Sequence, residues 1–553
     1  MTSTLSGAVC SEHRLASRIG TDILKAGGSA ADAMIATVLA INTLCPYHSD
    51  LGGGGFAIVR NSQGTYEGLD FRQHAPAEVT MEFYQSGAST SHGGSAVAVP
   101  GELRGMEELH KRYGRLPWAE LFEPSIKLAE GGIPVGGDLR DYTARDCVPS
   151  GSDSIEGSFY ESDPMYAPLF QDGRVLPMGA KYPRPEFART LRLLADQGAG
   201  AFYEGEVAEA LVKVVRERGG LMSLDDLKDI RARWVEPIQG RYRDYTLWTL
   251  PAPASGAIWL SAMGMLSHLE RTEEGSVLDQ HRVTEALRLA FGQRTELGDP
   301  AFVPGLDKKQ AYWVSEEGSK QRSKMISDDK TFPPEYYMAS SPEVQYDSGT
   351  SNITAADSSG LVISLTTTVG WNWGSKIMVP GYGFVLNNSM DDFSVKGRPN
   401  GFGYEPTPPN YVAAGKKPLS SSCPYIVEDA KGQVVLSGGA AGGSTIISSN
   451  IQVARNVLDF DMSASEALRA SRLHDQIQPN VTYLERTSTA QGITVNGHSE
   501  ELAEGLGQKG HVVEWVTAHR STPCAMRFLP DGTWEAAGDP RKHDSGGSAY
   551  YHA

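Results

Sequence analysis

The chain has 553 residues, 40% of them hydrophobic, and carries 67 acidic against 50 basic residues for a net charge of −17. This composition is too apolar and too weakly charged for a disordered chain, and the length allows several domains or fewer large ones around a sizeable core. The acidic excess is spread along the chain, so neither nucleic acid nor an anionic membrane surface is expected as a partner.

Met1 to Val9 has no basic region and no long apolar run, so no secretory signal is read there. Residues 11–44 predict two helices: Ser11-Glu12-His13-Arg14-Leu15 opens the first, and Gly27-Gly28 ends it. Ser29 caps the second, with Asp32 in the capping-box position. That second helix is the most apolar stretch, but Asp32 and Asn42 interrupt it and it is too short to span a bilayer. The run Leu51-Gly52-Gly53-Gly54-Gly55-Phe56 enters a strand; no Gly-Lys-Ser/Thr follows, so close backbone packing is a better reading than a phosphate loop.

Residues 101–131 are expected to be helical with a break at Gly114-Arg115-Leu116-Pro117, and 147–184 to form a long surface loop. Helices are predicted near 185–196 and 205–218, a strand pair over 237–249, and a long helix over 278–296. The polar stretch 317–348 reads as flexible. Asn352 to Thr368 reads as a hairpin around Asp357-Ser358-Ser359-Gly360, and β-type runs follow at Val434-Val435-Leu436 and Ile493-Thr494-Val495.

Cys10, Cys45, Cys147, Cys423 and Cys524 are few and far apart, which fits neither a disulfide scaffold nor a zinc framework. A reducing, cytoplasmic location is expected, with one disulfide left open and secretion left open should a leader be missing. The 13 histidines show no HExxH or comparable ligand spacing, so no metal and no cofactor are expected. His48-Ser49-Asp50 would make a serine triad only by coincidence, because triads are assembled in space rather than along a run.

The sharpest chemical feature is Asp347-Ser348-Gly349-Thr350-Ser351-Asn352, a polar loop running into a strand headed by a small hydroxyl residue. Thr350 could attack the Gly349 carbonyl, and hydrolysis of the resulting ester would leave Thr350 as a new N-terminus whose α-amine serves its own hydroxyl as base. On these residues alone a strand-initiating threonine is the simpler reading. If Ser358-Ser359 form a two-residue turn, residues 350 and 367 lie opposite each other, which brings Thr366-Thr367-Thr368 beside the junction. Further on, Lys417-Pro418-Leu419-Ser420-Ser421-Ser422 could hold a carboxylate, and Gly442-Gly443 could offer two amides to an oxyanion.

From about residue 7 to the C-terminus the chain resembles the gamma-glutamyltranspeptidase family of N-terminal nucleophile hydrolases. The motifs that carry the resemblance include Ala26-Gly27-Gly28-Ser29-Ala30-Ala31-Asp32-Ala33, Leu69-Asp70-Phe71-Arg72-Gln73-His74-Ala75-Pro76, Val99-Pro100-Gly101-Glu102, Pro253-Ala254-Ser255-Gly256, Leu386-Asn387-Asn388-Ser389-Met390-Asp391-Asp392-Phe393 and Asp539-Pro540-Arg541-Lys542. The resemblance implies an α+β fold, an αββα sandwich made as a proenzyme and cut into a large subunit, residues 1–349, and a small catalytic subunit, residues 350–553, which stay associated. It implies cleavage of γ-glutamyl amides such as glutathione, with transfer to water or to an amino-acid or peptide acceptor. By motif position Thr350 is the nucleophile, Thr368 its supporting hydroxyl, and Gly442 and Gly443 the oxyanion hole. Arg72, Ser420 and Ser421 would take the substrate α-carboxylate and Asp392 its ammonium. For Arg72 the competing reading is a surface ion pair with Asp70.

Three departures from the family pattern stand out. Asn352 replaces a histidine, a loss that would slow processing; Gly370 replaces an asparagine, and Ser389 replaces glutamine or glutamate. The last two changes would leave Asp392 nearly alone in a segment crowded by Trp371 and Trp373. Two alternatives to γ-glutamyl transfer follow: a member retuned to another acyl or amide substrate, and an uncleaved pseudoenzyme.

Overall fold

The computed structural model describes residues 6–150, 152, 154–156, 158, 160, 161, 163–338, 349–398, 406–490, 492–518 and 521–551. Met1 to Leu5, and the 339–348 end of the polar stretch with Asp347 and Ser348, lie outside them.

The first two helices are Arg14–Lys25 and Ala30–Leu44. Ser29 and Asp32 form the reciprocal capping box, and every residue of the second helix is buried. The helix therefore serves as one wall of a core. The glycine run opens the strand Gly54–Arg60, which pairs with Val362–Gly370. A Cβ on Gly55 would stand 1.9 Å from the Thr366 carbonyl oxygen, and one on Gly53 2.6 Å from that of Thr368, so the glycines permit close strand packing.

Two antiparallel sheets face each other. In the first, the strand order is Gly546–Tyr551, Ser6–Ser11, Gly349–Ala356, Val362–Gly370, Gly54–Arg60, Tyr66–Asp70 and Arg233–Val235. In the second it is Trp534–Gly538, Thr522–Phe528, Val434–Ala441, Tyr425–Glu428, Tyr245–Thr249 and Ile238–Tyr242. Helices cover both outer faces. Ala30–Leu44 packs against the first sheet with Ala57, Val59, Ile353 and Ile363. Gly256–Ser267, Val277–Arg294 and Thr445–Leu458 pack against the second with Leu247, Val427 and Leu436. Phe56, Ile58, Val362, Ile426 and Met526 fill the space between the sheets. The layering is the expected αββα sandwich, and both sheets contain strands from each side of residue 350, interleaved in the first sheet and in two adjoining blocks in the second.

The strand pair Ile238–Tyr242 and Tyr245–Thr249 and the long helix Val277–Arg294 lie where periodicity placed them. The helix Gly256–Ser267 does not appear in the sequence reading, because it is apolar all round and shows no one-sided face. Within the described part of the stretch expected to be flexible, Glu316–Ser323 forms a helix capped by Ser315, and Pro334–Tyr337 a further turn of helix. All five cysteines are free and buried. No helix among the described residues is long and apolar enough to cross a membrane.

Candidate active site

The hairpin Gly349–Ala356/Val362–Gly370 builds the site. Its connection is not a two-residue turn: the Asp357 amide donates to the Leu361 carbonyl at 3.1 Å, and Gly360 takes a positive φ of 85°. The five-residue loop shifts the register by one from the expected pairing, so Thr350 sits opposite Thr368 rather than Thr367. The register slips between Gly349 and Thr350, placing a bulge at that peptide bond.

Strand alternation then sorts the hydroxyls. Thr350, Asn352, Thr354, Ser364, Thr366 and Thr368 share the face turned to the second sheet, where the Ser364 hydroxyl donates to the Gly438 carbonyl at 2.8 Å. Ser351 and Thr367 face the helices. Thr367 Oγ1 stands 2.7 and 2.8 Å from the two carboxyl oxygens of Glu102, whose pKa burial pushes up to about 8. The Ser351 hydroxyl donates to Glu12, which also receives Lys542 Nζ and lies 2.7 Å from His48 Nδ1. Burial opposes the Glu12 charge, yet Lys542 and His48 hold this carboxyl below the usual range. The Lys542 end of the C-terminal motif thus anchors the strand Gly349–Ala356 from behind. The run His48-Ser49-Asp50 points to three separate partners, Glu12, Asn42 and Arg184, and forms no triad.

Around Thr350 the hydrogen bonds form a relay. Thr350 Oγ1 donates to Thr368 Oγ1 at 3.0 Å, and Thr368 Oγ1 donates to the Gly349 carbonyl oxygen at 2.6 Å. The Gly370 amide donates to Thr368 Oγ1 at 2.8 Å, which uses the second lone pair of that hydroxyl. One hydroxyl therefore polarises the carbonyl before Thr350 and accepts the Thr350 proton. Both threonines are buried.

Gly442 and Gly443 follow the strand Val434–Ala441 and precede the helix Thr445–Leu458, with φ of 120° and 61°, values that glycine alone adopts readily. Thr354 touches Ser437, and Asn352 packs on Gly439, so the same step along both strands brings Ala441 level with Thr350 and the glycine pair directly after it. Neither glycine amide donates to another group among the described residues. Asn352 donates to the Leu365 carbonyl at 3.0 Å and to Thr366 Oγ1 at 3.2 Å.

Arg72 is 1% exposed, and its guanidinium pairs with Asp392 rather than Asp70; Asp70 instead pairs with Lys417 at 2.6 Å. Gln73 ties this pair to the strand opposite Thr350: it accepts from Arg72 at 3.2 Å and donates to the Thr368 carbonyl at 2.8 Å. Asp392 is therefore not alone. Burial raises its pKa against the pull of Arg72 and Arg294. Arg294, which the sequence reading missed, ends the helix Val277–Arg294 and donates to Ser421 Oγ at 3.0 Å. The Ser255 hydroxyl donates to the Ser420 carbonyl at 2.7 Å, and Ser420 Oγ donates to Ser422 Oγ at 3.0 Å. Arg72 pairs with Asp392, Arg294 acts on both Asp392 and Ser421, and Ser420 adjoins Ser421, so these residues form one buried polar cluster, the candidate substrate pocket.

The departures from the family pattern sit in defined local settings. Gly370 has a φ of 94°, and a Cβ there would meet Asn388 Oδ1 at 2.1 Å. Ser389 and Asp392 begin and end a 3₁₀ turn, so their side chains share a face. Ser389 Oγ is buried with no hydrogen-bond partner among the described residues. Trp373 is buried against Tyr47 and Tyr166, away from the pocket, while Trp371 is 37% exposed.

The sequence profile of gamma-glutamyltranspeptidase matches residues 16–549. The chain belongs to the gamma-glutamyltranspeptidase family. It is 39% identical to the glutathione hydrolase proenzyme of Arthroderma benhamiae over 98% of this chain and 92% of the relative. It is 36% identical to the glutathione hydrolase of Aspergillus flavus over 98% of this chain and 89% of the relative. Among solved structures it resembles the cephalosporin acylase of Bacillus halodurans at a TM-score of 0.83 and 26% identity, over 99% of this chain and 96% of that one. As a gamma-glutamyltranspeptidase, the chain is an enzyme of the N-terminal nucleophile hydrolase fold.

Proposed function

We propose that the chain is a proenzyme that cuts itself between Gly349 and Thr350 and then hydrolyses or transfers the γ-glutamyl group of glutathione and related amides. The observation that carries this reading is the relay from Thr350 through Thr368 to the Gly349 carbonyl. Thr350 Oγ attacks that carbonyl carbon. Its proton passes to Thr368 Oγ1 as the Thr368 proton moves to the carbonyl oxygen, which leaves a neutral tetrahedral adduct. The C–N bond then breaks, the nitrogen takes up a proton, and an ester joins Gly349 to Thr350 Oγ. Water hydrolyses the ester, freeing the Gly349 carboxylate and the Thr350 amine and hydroxyl.

In turnover the α-amine of Thr350, with an ordinary pKa near ~8, takes the hydroxyl proton as Oγ attacks the γ-carbonyl. The Gly442 and Gly443 amides receive the developing oxyanion. The leaving amine takes the proton, and water or an acceptor amine opens the acyl ester. At the other end of the substrate, an α-amino acid carries a carboxylate and an ammonium side by side. The buried Arg72–Asp392 pair offers the complementary charges, with Ser420, Ser421 and Arg294 on the carboxylate side and the Ser389 hydroxyl on the ammonium side. This pocket supports a γ-glutamyl donor over an acyl group lacking the ammonium, as do relatives named for glutathione hydrolysis. Under this reading residues 1–349 and 350–553 remain associated through their shared sheets.

Comparing kcat/KM for γ-glutamyl and glutaryl anilides tests the assignment. The glutaryl compound lacks only the ammonium. A strong preference for the γ-glutamyl anilide is expected; equal or reversed preference would contradict it.

A further inference from the structure

A second polar cluster lies away from the nucleophile, on the helix Val277–Arg294. His281 and Glu285 stand one turn apart on it, and His511, which follows the helix Glu500–Gln508, closes on both. All three are buried, and their ligand atoms lie within 4.8 Å of one another.

The surrounding hydrogen bonds fix both ring tautomers. His281 Nε2 lies 2.7 Å from the Ser327 carbonyl oxygen, which only accepts, so Nε2 carries the proton and Nδ1 presents a lone pair. Thr482 Oγ1 donates its single proton to Asp475 at 2.8 Å, and Asp475 pairs with Arg288 at 3.0 Å. Thr482 Oγ1 can therefore only accept from His511 Nδ1, 3.4 Å away, which leaves His511 Nε2 with a lone pair. His281 Nδ1 and His511 Nε2 face each other at 2.8 Å. Two lone pairs at that distance repel unless a cation lies between them.

The carboxylate beside the pair is Glu285, which accepts the Tyr337 hydroxyl at 2.7 Å. Two imidazole nitrogens and a carboxylate, each oriented by a hydrogen bond to a further group, form a donor set that suits zinc.

We propose that His281 Nδ1, His511 Nε2 and Glu285 bind a divalent metal ion of the zinc class. An ion ~2.0–2.1 Å from each nitrogen in tetrahedral geometry would set the nitrogens roughly 3.4 Å apart, so the rings need draw apart only slightly. The role is structural, because the cluster touches none of the residues around Thr350. His281 and Glu285 precede the proposed cut and His511 follows it. In the processed enzyme, a consequence that rests on the cleavage reading, the ion would clip the two fragments together.

The test uses the purified processed enzyme and the uncut Thr350→Ala chain, each stripped with a chelator and then titrated with Co²⁺ or Zn²⁺. Both proteins are expected to take up one Co²⁺ with the visible d–d absorption of a tetrahedral N/O site, and Zn²⁺ is expected to raise their unfolding temperature. His511→Gln and Glu285→Gln should lose both effects. A folded wild type that shows no Co²⁺ absorption and no Zn²⁺ shift overturns the proposal. So does a response that persists undiminished in both variants. Binding by the uncut chain separates the metal site from the cleavage reading, since its ligands are in place before any cut.

Discussion

Replacing Thr368 with valine keeps the shape of the side chain and removes one oxygen. That oxygen donates to the Gly349 carbonyl at 2.6 Å and accepts from Thr350 Oγ1 at 3.0 Å and from the Gly370 amide at 2.8 Å. Loss of one donor to a developing oxyanion costs ~2.7–4 kcal/mol, or roughly 10²–10³ in rate. Loss of the proton acceptor for Thr350 adds to this, since a positioned proton-transfer group is worth about 10²–10⁴. Self-cleavage of Thr368→Val should therefore slow at least ~10²-fold. The buried Gly370 amide would also lose its acceptor, at about 1–3 kcal/mol of stability, a loss the large fold can absorb. The assay follows the appearance of the 350–553 fragment on denaturing gels after synthesis, with Thr368→Ser as the control that keeps the hydroxyl. Thr368→Ser should cleave close to the wild-type rate. Cleavage of Thr368→Val at the wild-type rate would refute the relay.

Arg72→Lys keeps the charge but loses the planar fork; KM for a γ-glutamyl anilide should rise at least ~10-fold, about 1.4 kcal/mol, with cleavage intact. Arg294→Met should also raise KM, by roughly 10-fold if its bond to Ser421 and its charge together supply about 1.5 kcal/mol; an unchanged KM would place Arg294 outside the pocket. Glu102 offers a pH test. Its folded pKa is about 8 against an ordinary 4.5, so it stays protonated in the fold where the unfolded chain would ionise. Its penalty is absent below the unfolded value and grows until the pH passes the folded value, reaching on the order of a few kcal/mol. Glu102→Gln should therefore gain stability over the parent as pH rises from about 5 to about 8, measured by denaturant unfolding in the uncut Thr350→Ala background.

The opening helices and the hairpin strands were legible in the sequence because capping, turn residues and alternation act locally, whereas the αββα layering and the role of Thr350 came from the family resemblance. Ser29 with Asp32, and the hydroxyls of the 350–368 hairpin, are read without tertiary knowledge. The pairing of Thr350 with Thr368 was missed by one residue when counted from a two-residue turn, because Asp357 closes a five-residue loop around Gly360. Arg294 was invisible as a pocket residue: it ends a helix whose other side chains pack in the core, and only the fold carries it to Ser421. Glu12 and Lys542 meet behind Ser351 from opposite ends of the chain, a contact that no local pattern encodes. His281 and Glu285 do share a helical spacing, but their partner His511 comes from another element.

The central claim is the cut at Gly349–Thr350, and intact mass spectrometry of the purified protein tests it most directly. The account predicts two species in equal amounts, residues 1–349 and residues 350–553 with a free threonine amine, and a single uncut chain for Thr350→Ala. A wild type that turns over γ-glutamyl amides as one uncut chain would contradict it, because the α-amine that serves as base would not exist.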